Sequence, residues 1–113
     1  MKARMNVEQY IKVQFLKSNL ELYSIKITHP LDEVNFGNWS TDVSCEVGSL
    51  RITNDRGEIY IKHFDRQSGI YMWSPNIYPT LLSIYDRGTR WELADLLKEI
   101  KQAFDNNGDA VEK

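Results

Sequence analysis

One cysteine, Cys45, in a chain of 113 residues leaves no partner for an internal disulfide, which favours a reducing compartment. Three prolines and six glycines are too few for a collagen-like or low-complexity chain. No apolar run comes near the roughly twenty residues that a membrane helix needs. Met1-Lys2-Ala3-Arg4 leads into polar residues and not into an apolar stretch, so no secretory signal is expected and a cytoplasmic location is. Two histidines without a cysteine pair are too few ligands for a metal site. The chain also lacks a Gly-rich phosphate loop, a Walker A pattern, a His-Glu-x-x-His helix and a nucleophile elbow. Neither cofactor nor metal is expected.

What is present is an ordinary globular composition, 42% hydrophobic and 27% charged, which excludes disorder. A chain this long buries roughly 65% of its unfolded surface, enough for one core. The net charge of −2 is unevenly spread. Residues 1–29 are basic, whereas residues 30–49 carry Asp32, Glu33, Asp42 and Glu46 with no Lys or Arg. A pI near 5.6 argues against nucleic acid as partner, since such domains usually lie above about 9. The acidic block reads either as a solvated face or as a surface presented to a basic partner.

Hydrophobic periodicity predicts a helix from Val7 to Ser18. Asn6 and Gln9 form a capping box, and Val7, Tyr10, Ile11 and Phe15 form an apolar face that Val13 and Leu16 widen. From Tyr23 the period changes to two, predicting a strand that ends at His29-Pro30. After a loop over 30–39, Thr41, Val43, Cys45 and Val47 alternate in a second strand broken by Gly48. Leu50–Thr53 and Glu58–Phe64 read as a hairpin with Gly57 in the left-handed position of its turn. A further turn at Asp65–Gly69 leads to a strand at Ile70–Trp73, and Thr80–Tyr85 is a less regular candidate strand. Thr89 and Glu92 cap a final helix whose face is Leu93, Leu96, Leu97, Ile100 and Phe104. The expectation is one α+β domain over residues 1–105, an antiparallel sheet of five or six strands flanked by two helices, with a flexible tail at 106–113. Asp-Arg-Gly occurs twice, at 55–57 and 86–88, and both copies read as turns.

His29 and His63 have the side chain suited to acid–base chemistry, but both fall at predicted strand ends, where a partly exposed structural histidine is the commoner case. Cys45 alternates with Val43 and Val47, as a small buried hydrophobe would. The thirteen aromatic residues carry more information. If Ile70 and Met72 point inward, then Tyr71 and Trp73, with Tyr60 and Phe64, occupy the opposite side of the sheet, as an exposed recognition surface or as a second small core.

Phe36-Gly37-Asn38, followed by Leu50-Arg51-Ile52-Thr53-Asn54-Asp55-Arg56-Gly57-Glu58-Ile59-Tyr60-Ile61, resembles a pattern in small bacterial proteins akin to the immunity proteins encoded beside polymorphic or contact-dependent toxins. The resemblance implies an inhibitor that occludes a toxin by stoichiometric binding, and it carries over no residue role. The residues expected to meet such a partner are Asp32, Glu33, Phe36, Trp39, Asp42, Tyr71 and Trp73, the acidic ones facing a basic toxin domain and the aromatic ones anchoring. The alternative is a phage or host accessory module that forms a homodimer through the aromatic sheet face. A small enzyme using His29 or His63 with a nearby carboxylate is a third reading.

Overall fold

A computed structural model of the chain describes residues 6–32, 37–56, 58–73 and 92–111, with side chains described for all of these except 31, 32 and 107–111. The candidate strand at Thr80–Tyr85, the proposed cap Thr89 and the second Asp-Arg-Gly turn lie outside the described residues. The elements run α1 (Val7–Ser18), β1 (Leu22–Asp32), β2 (Asn38–Cys45), β3 (Gly48–Asp55), β4 (Glu58–Asp65), β5 (Ile70–Trp73) and α2 (Leu93–Val111). The five strands form one antiparallel sheet in sequential order β1-β2-β3-β4-β5. This is the expected α+β arrangement, a meander held by short turns with a helix at each end of the sequence.

In α1, the Asn6 side chain accepts the Gln9 N–H at 3.1 Å and Asn19 closes the other end in the left-handed region at φ 59°. The buried face is Val7, Ile11, Gln14, Phe15 and Ser18. Val13 and Leu16 do not widen it: Leu16 is 81% exposed. At about 100° per residue, Leu16 and Val13 lie well away from the arc centred on Ile11, whereas Gln14 falls inside it. Gln14 is therefore buried as a polar residue, and its Oε1 accepts the Ala94 N–H at 3.0 Å. That bond caps an otherwise orphan amide at the start of α2. Lys101 of α2 returns the contact, donating to the Asn19 carbonyl at 2.6 Å.

The core lies between the helices and one face of the sheet. It combines Ile11 and Phe15 with Trp39, Val43, Leu50, Ile52 and Ile61, and with Leu93, Leu96, Leu97 and Ile100. β2 shows strict alternation of buried and half-buried residues, as a strand with one covered face should. β1 extends past His29-Pro30 to Asp32. At the β2–β3 hairpin Cys45 pairs with Gly48 across two residues, and Gly48 has φ +113°, a conformation that disfavours any side chain. In the β3–β4 turn Arg56 is left-handed, at φ 55°, its N–H donating to Asn38 Oδ1 at 2.8 Å; Gly57, the residue expected in that region, lies outside the described residues. The β4–β5 turn closes as expected, with the Gly69 N–H on the Asp65 carbonyl at 2.8 Å and Gly69 at φ +73°. α2 continues through Asn106-Asn107-Gly108 to Val111, beyond the expected domain end at 105, since each such residue costs an established helix only about 1 kcal/mol or less. No helix among the described residues is long and apolar enough to cross a membrane.

Candidate partner-binding face

The helices cover one side of the sheet, and strand alternation delivers a second set of side chains to the other. The register aligns Lys26 with Asp42, Asp42 with Arg51, Arg51 with Lys62, and Lys62 with Trp73. Residues directly opposite each other in antiparallel strands share a face, so these five form a row across all five strands. Neighbouring rows on the same face pair Thr53 with Tyr60 and Phe64 with Tyr71.

Arg51 is the centre of this surface. Its Nε donates to Asp42 Oδ1 at 2.8 Å and its Nη2 to Asp42 Oδ2 at 3.0 Å, the bidentate arrangement that a planar guanidinium favours. The same guanidinium carbon sits 4.1 Å from the Tyr71 ring centroid, within cation–π range. Tyr71 meets Phe64 edge to face at 5.3 Å, and Tyr60 lies 5.7 Å from Trp73 in a tilted pair. The Tyr60 hydroxyl also donates to Glu58. The hydrogen bond to Asp42 pushes the Arg51 pKa up, and burial, followed by the Asp42 charge, pushes the Tyr71 phenol up. At neutral pH Tyr71 is therefore an uncharged hydroxyl on an aromatic platform. Tyr60, Tyr71 and Trp73 are half-buried, and Phe64 is 40% exposed.

The structure brings together Asp42, Tyr71 and Trp73 from the expected set, with Tyr60 and Phe64 on the same side as the alternation predicts, and adds Arg51. Trp39 is a correction. It is 2% exposed and packs edge to face against Tyr10 at 5.9 Å, so it is a core residue and not a surface anchor. β2 begins at Asn38, which puts Trp39 in phase with Thr41, Val43 and Cys45 on the covered side. Glu33 and Phe36 lie outside the described residues, and of Asp32 only the backbone is described, at the end of β1. The rest of the Phe36-Gly37-Asn38 motif braces the neighbouring hairpin. The Gly37 carbonyl accepts from Asn54 at 3.1 Å, and Asn38 holds the β3–β4 turn. Asp42 and Glu46 do not converge. Asp42 is bound to Arg51, whereas Glu46 sits in the β2–β3 turn with Lys101 at 3.5 Å.

The remaining chemical candidates are separate from this face and from each other. His29 is exposed, with Nδ1 3.1 Å from the Pro30 carbonyl. His63 is 4% exposed inside β4, and burial lowers its pKa to about 4. The expectation of a partly exposed strand-end residue fails there because His63 shares the phase of Ile61 on the covered side. Two strands separate β1 from β4, which places the histidines about 14 Å apart or more across the sheet. Cys45 is buried, its Sγ 3.3 Å from the Gly48 carbonyl, and burial pushes its thiol up to about 11, the reverse of what a nucleophile requires. Among the described residues no group of three His, Cys, Asp or Glu side chains could hold a metal ion.

Arg51 is the residue that composition does not flag. Its signal is the alternation itself, which puts Arg51 opposite Asp42 once the Cys45–Gly48 turn is fixed. No family model, curated protein or solved structure matches the chain, leaving the chemistry of this face as the ground for a functional reading.

Proposed function

We propose that this protein is a non-enzymatic binding module that docks a protein partner on the open face of its sheet, in the manner of an immunity-type inhibitor that occludes a toxin by stoichiometric binding. The observation that supports it is the cluster of Arg51, Tyr60, Phe64, Tyr71 and Trp73, held in ring-to-ring and cation–π contact on adjacent strands. Tyr, Trp and Arg are the residue types that carry most binding energy at protein interfaces. Here they are fixed by the sheet, so little side-chain entropy remains to be lost on docking. Asp42 pairs with Arg51, while Lys26 and Lys62 flank them in the same row and leave it net positive, so the attraction of this face lies in its aromatic rings and not in acidic charge. Electrostatic steering of a basic partner then falls to Asp32 and Glu33.

The test is affinity capture from the native host with the chain tagged at its C-terminus, comparing the native sequence with Tyr71→Ala/Trp73→Ala at low and high salt. A single stoichiometric partner retained by the native chain at both salt concentrations and lost by the variant is the expected result. A partner captured equally by both proteins would sink the aromatic face as the site. A partner released by salt alone would return the acidic residues to the lead. Self-association abolished by the double substitution, with no other partner, would favour the accessory module that homodimerises through this face.

A further inference from the structure

Lys62 stands inside the aromatic cluster of the open face. Its neighbours on the same side of β4 are Tyr60 and Phe64, two residues away in each direction. Across the ladder it faces Arg51 on β3 and Trp73 on β5, with Tyr71 on the diagonal. Four aromatic side chains therefore frame one exposed lysine. Two ring-to-ring contacts hold the frame, Tyr60 with Trp73 and Phe64 with Tyr71. Lys62 forms no ion pair among the described residues. Arg51 is only partly engaged. A guanidinium has five N–H donors and can grip a carboxylate along more than one edge. Asp42 takes the edge formed by Nε and Nη2. The edge formed by Nη1 and the second Nη2 hydrogen has no acceptor among the described residues, although the guanidinium is held on the Tyr71 ring and the side chain is 40% exposed.

We propose, on the reading of this face as a docking surface, that Arg51 and Lys62 receive one carboxylate of the protein partner, an Asp or Glu side chain seated inside the aromatic frame. Charge selects the class of group. Arg51, Lys62 and Asp42 together carry one positive charge, which a single carboxylate balances. A phosphate dianion or a run of phosphates would leave a negative excess beside Asp42, in a chain that is already net negative. Lys26, the other cation of the row, lies two strands from Arg51 on the far side of Asp42, about 10 Å away and beyond the same carboxylate. The rings exclude water once the partner is seated, which strengthens a charge-assisted hydrogen bond and shields it from salt. Asp42 and Tyr71 hold the guanidinium in place beforehand, so its open edge needs little ordering on docking. This is one contact within the face, and it coexists with steering of a basic partner by Asp32 and Glu33.

The experiment selects random phage-displayed peptides on the full chain and measures the enriched ones, made synthetically, by fluorescence anisotropy. The expected peptides carry an Asp or Glu whose replacement by Asn or Gln weakens binding about tenfold or more. Arg51→Lys, which keeps the charge and loses the planar edge, and Lys62→Gln should each weaken the carboxylate peptide to a similar degree and add little to the loss already seen with the amide peptide. Lys26→Gln should leave the affinity within about twofold. Lys26 and Lys62 are exposed, and circular dichroism confirms that every variant is folded. Peptides that need Tyr71 and Trp73 but no carboxylate overturn the proposal and leave the docking face standing. Peptides indifferent to Tyr71→Ala/Trp73→Ala, or no enrichment at all, overturn both. A labelled single-stranded oligonucleotide that binds the native chain more tightly than the peptides, and is released by Lys62→Gln, overturns the carboxylate in favour of phosphate.

Discussion

His63 shows how one buried residue sets a property of the whole chain. Its folded pKa of about 4 lies below the ordinary 6.5 because burial disfavours the imidazolium. Between those values the unfolded chain binds a proton that the native state refuses, so stability is complete above pH 6.5 and falls as the pH drops toward 4. The loss contributed is at most about 3 kcal/mol. Urea denaturation at steps from pH 7 to 4.5 should show this slope, and His63→Leu should flatten it. Thr41 makes the opposite point. Its side chain is fully buried in β2, and Oγ1 has no hydrogen-bond partner among the described residues. Thr41→Val keeps the shape and removes a desolvated hydroxyl, so it should raise stability by about 1 kcal/mol, visible as a higher denaturation midpoint at unchanged m-value. The Asp42–Arg51 pair is bidentate but Arg51 is 40% exposed in its side chain. Solvent screening limits its coupling to about 1 kcal/mol or less in a double-mutant cycle with Asp42→Asn and Arg51→Gln. A larger coupling would mean that Tyr71 shares in the pair.

Among the elements, α2 depends on α1 in a way that neither helix shows alone. The Ala94 N–H is capped by Gln14, eighty residues earlier. Gln14→Leu keeps the volume near constant but leaves that buried amide without its acceptor, at a cost of about 1–2 kcal/mol. Thermal unfolding of the variant checks this, and an unchanged midpoint would show that the cap contributes nothing. The position of Gln14 is legible in the sequence: it lies on the arc of Val7, Ile11 and Phe15, and only the expectation that a polar residue belongs outside conceals it. What it bonds to is not legible, because its partner lies on another helix. Strand phases are readable wherever the run of alternation is followed to its true end. Extending β2 by two residues moves Trp39 from the expected surface to the core. In the β3–β4 turn Arg56 takes the left-handed region and its N–H donates to Asn38 Oδ1 at the start of β2, a contact that Asp-Arg-Gly by itself does not announce.

For the whole molecule, a meander with helices on one side necessarily has two kinds of aromatic residue, and they should respond differently. Trp39→Ala opens a cavity in the core and should cost about 3–5 kcal/mol. Tyr71→Ala and Phe64→Ala remove half-exposed rings from the open face and should each cost well under half of that while acting on partner binding. Chemical denaturation of the three variants side by side checks the division, and comparable losses would show that the open face is a second core.

The α+β class, both helix faces, the sheet's alternation and the aromatic residues of its second side were determined by local sequence. They follow from period, caps and turns, which act over a few residues. Tertiary structure alone decided which of those residues meet. It brought Arg51 of β3 against Tyr71 of β5, parted Asp42 from Glu46, buried His63, and placed β1 at the end of the strand order among the described residues. Those outcomes depend on strand order and register, which are fixed by packing one face against the helices and are written in no single stretch of the chain.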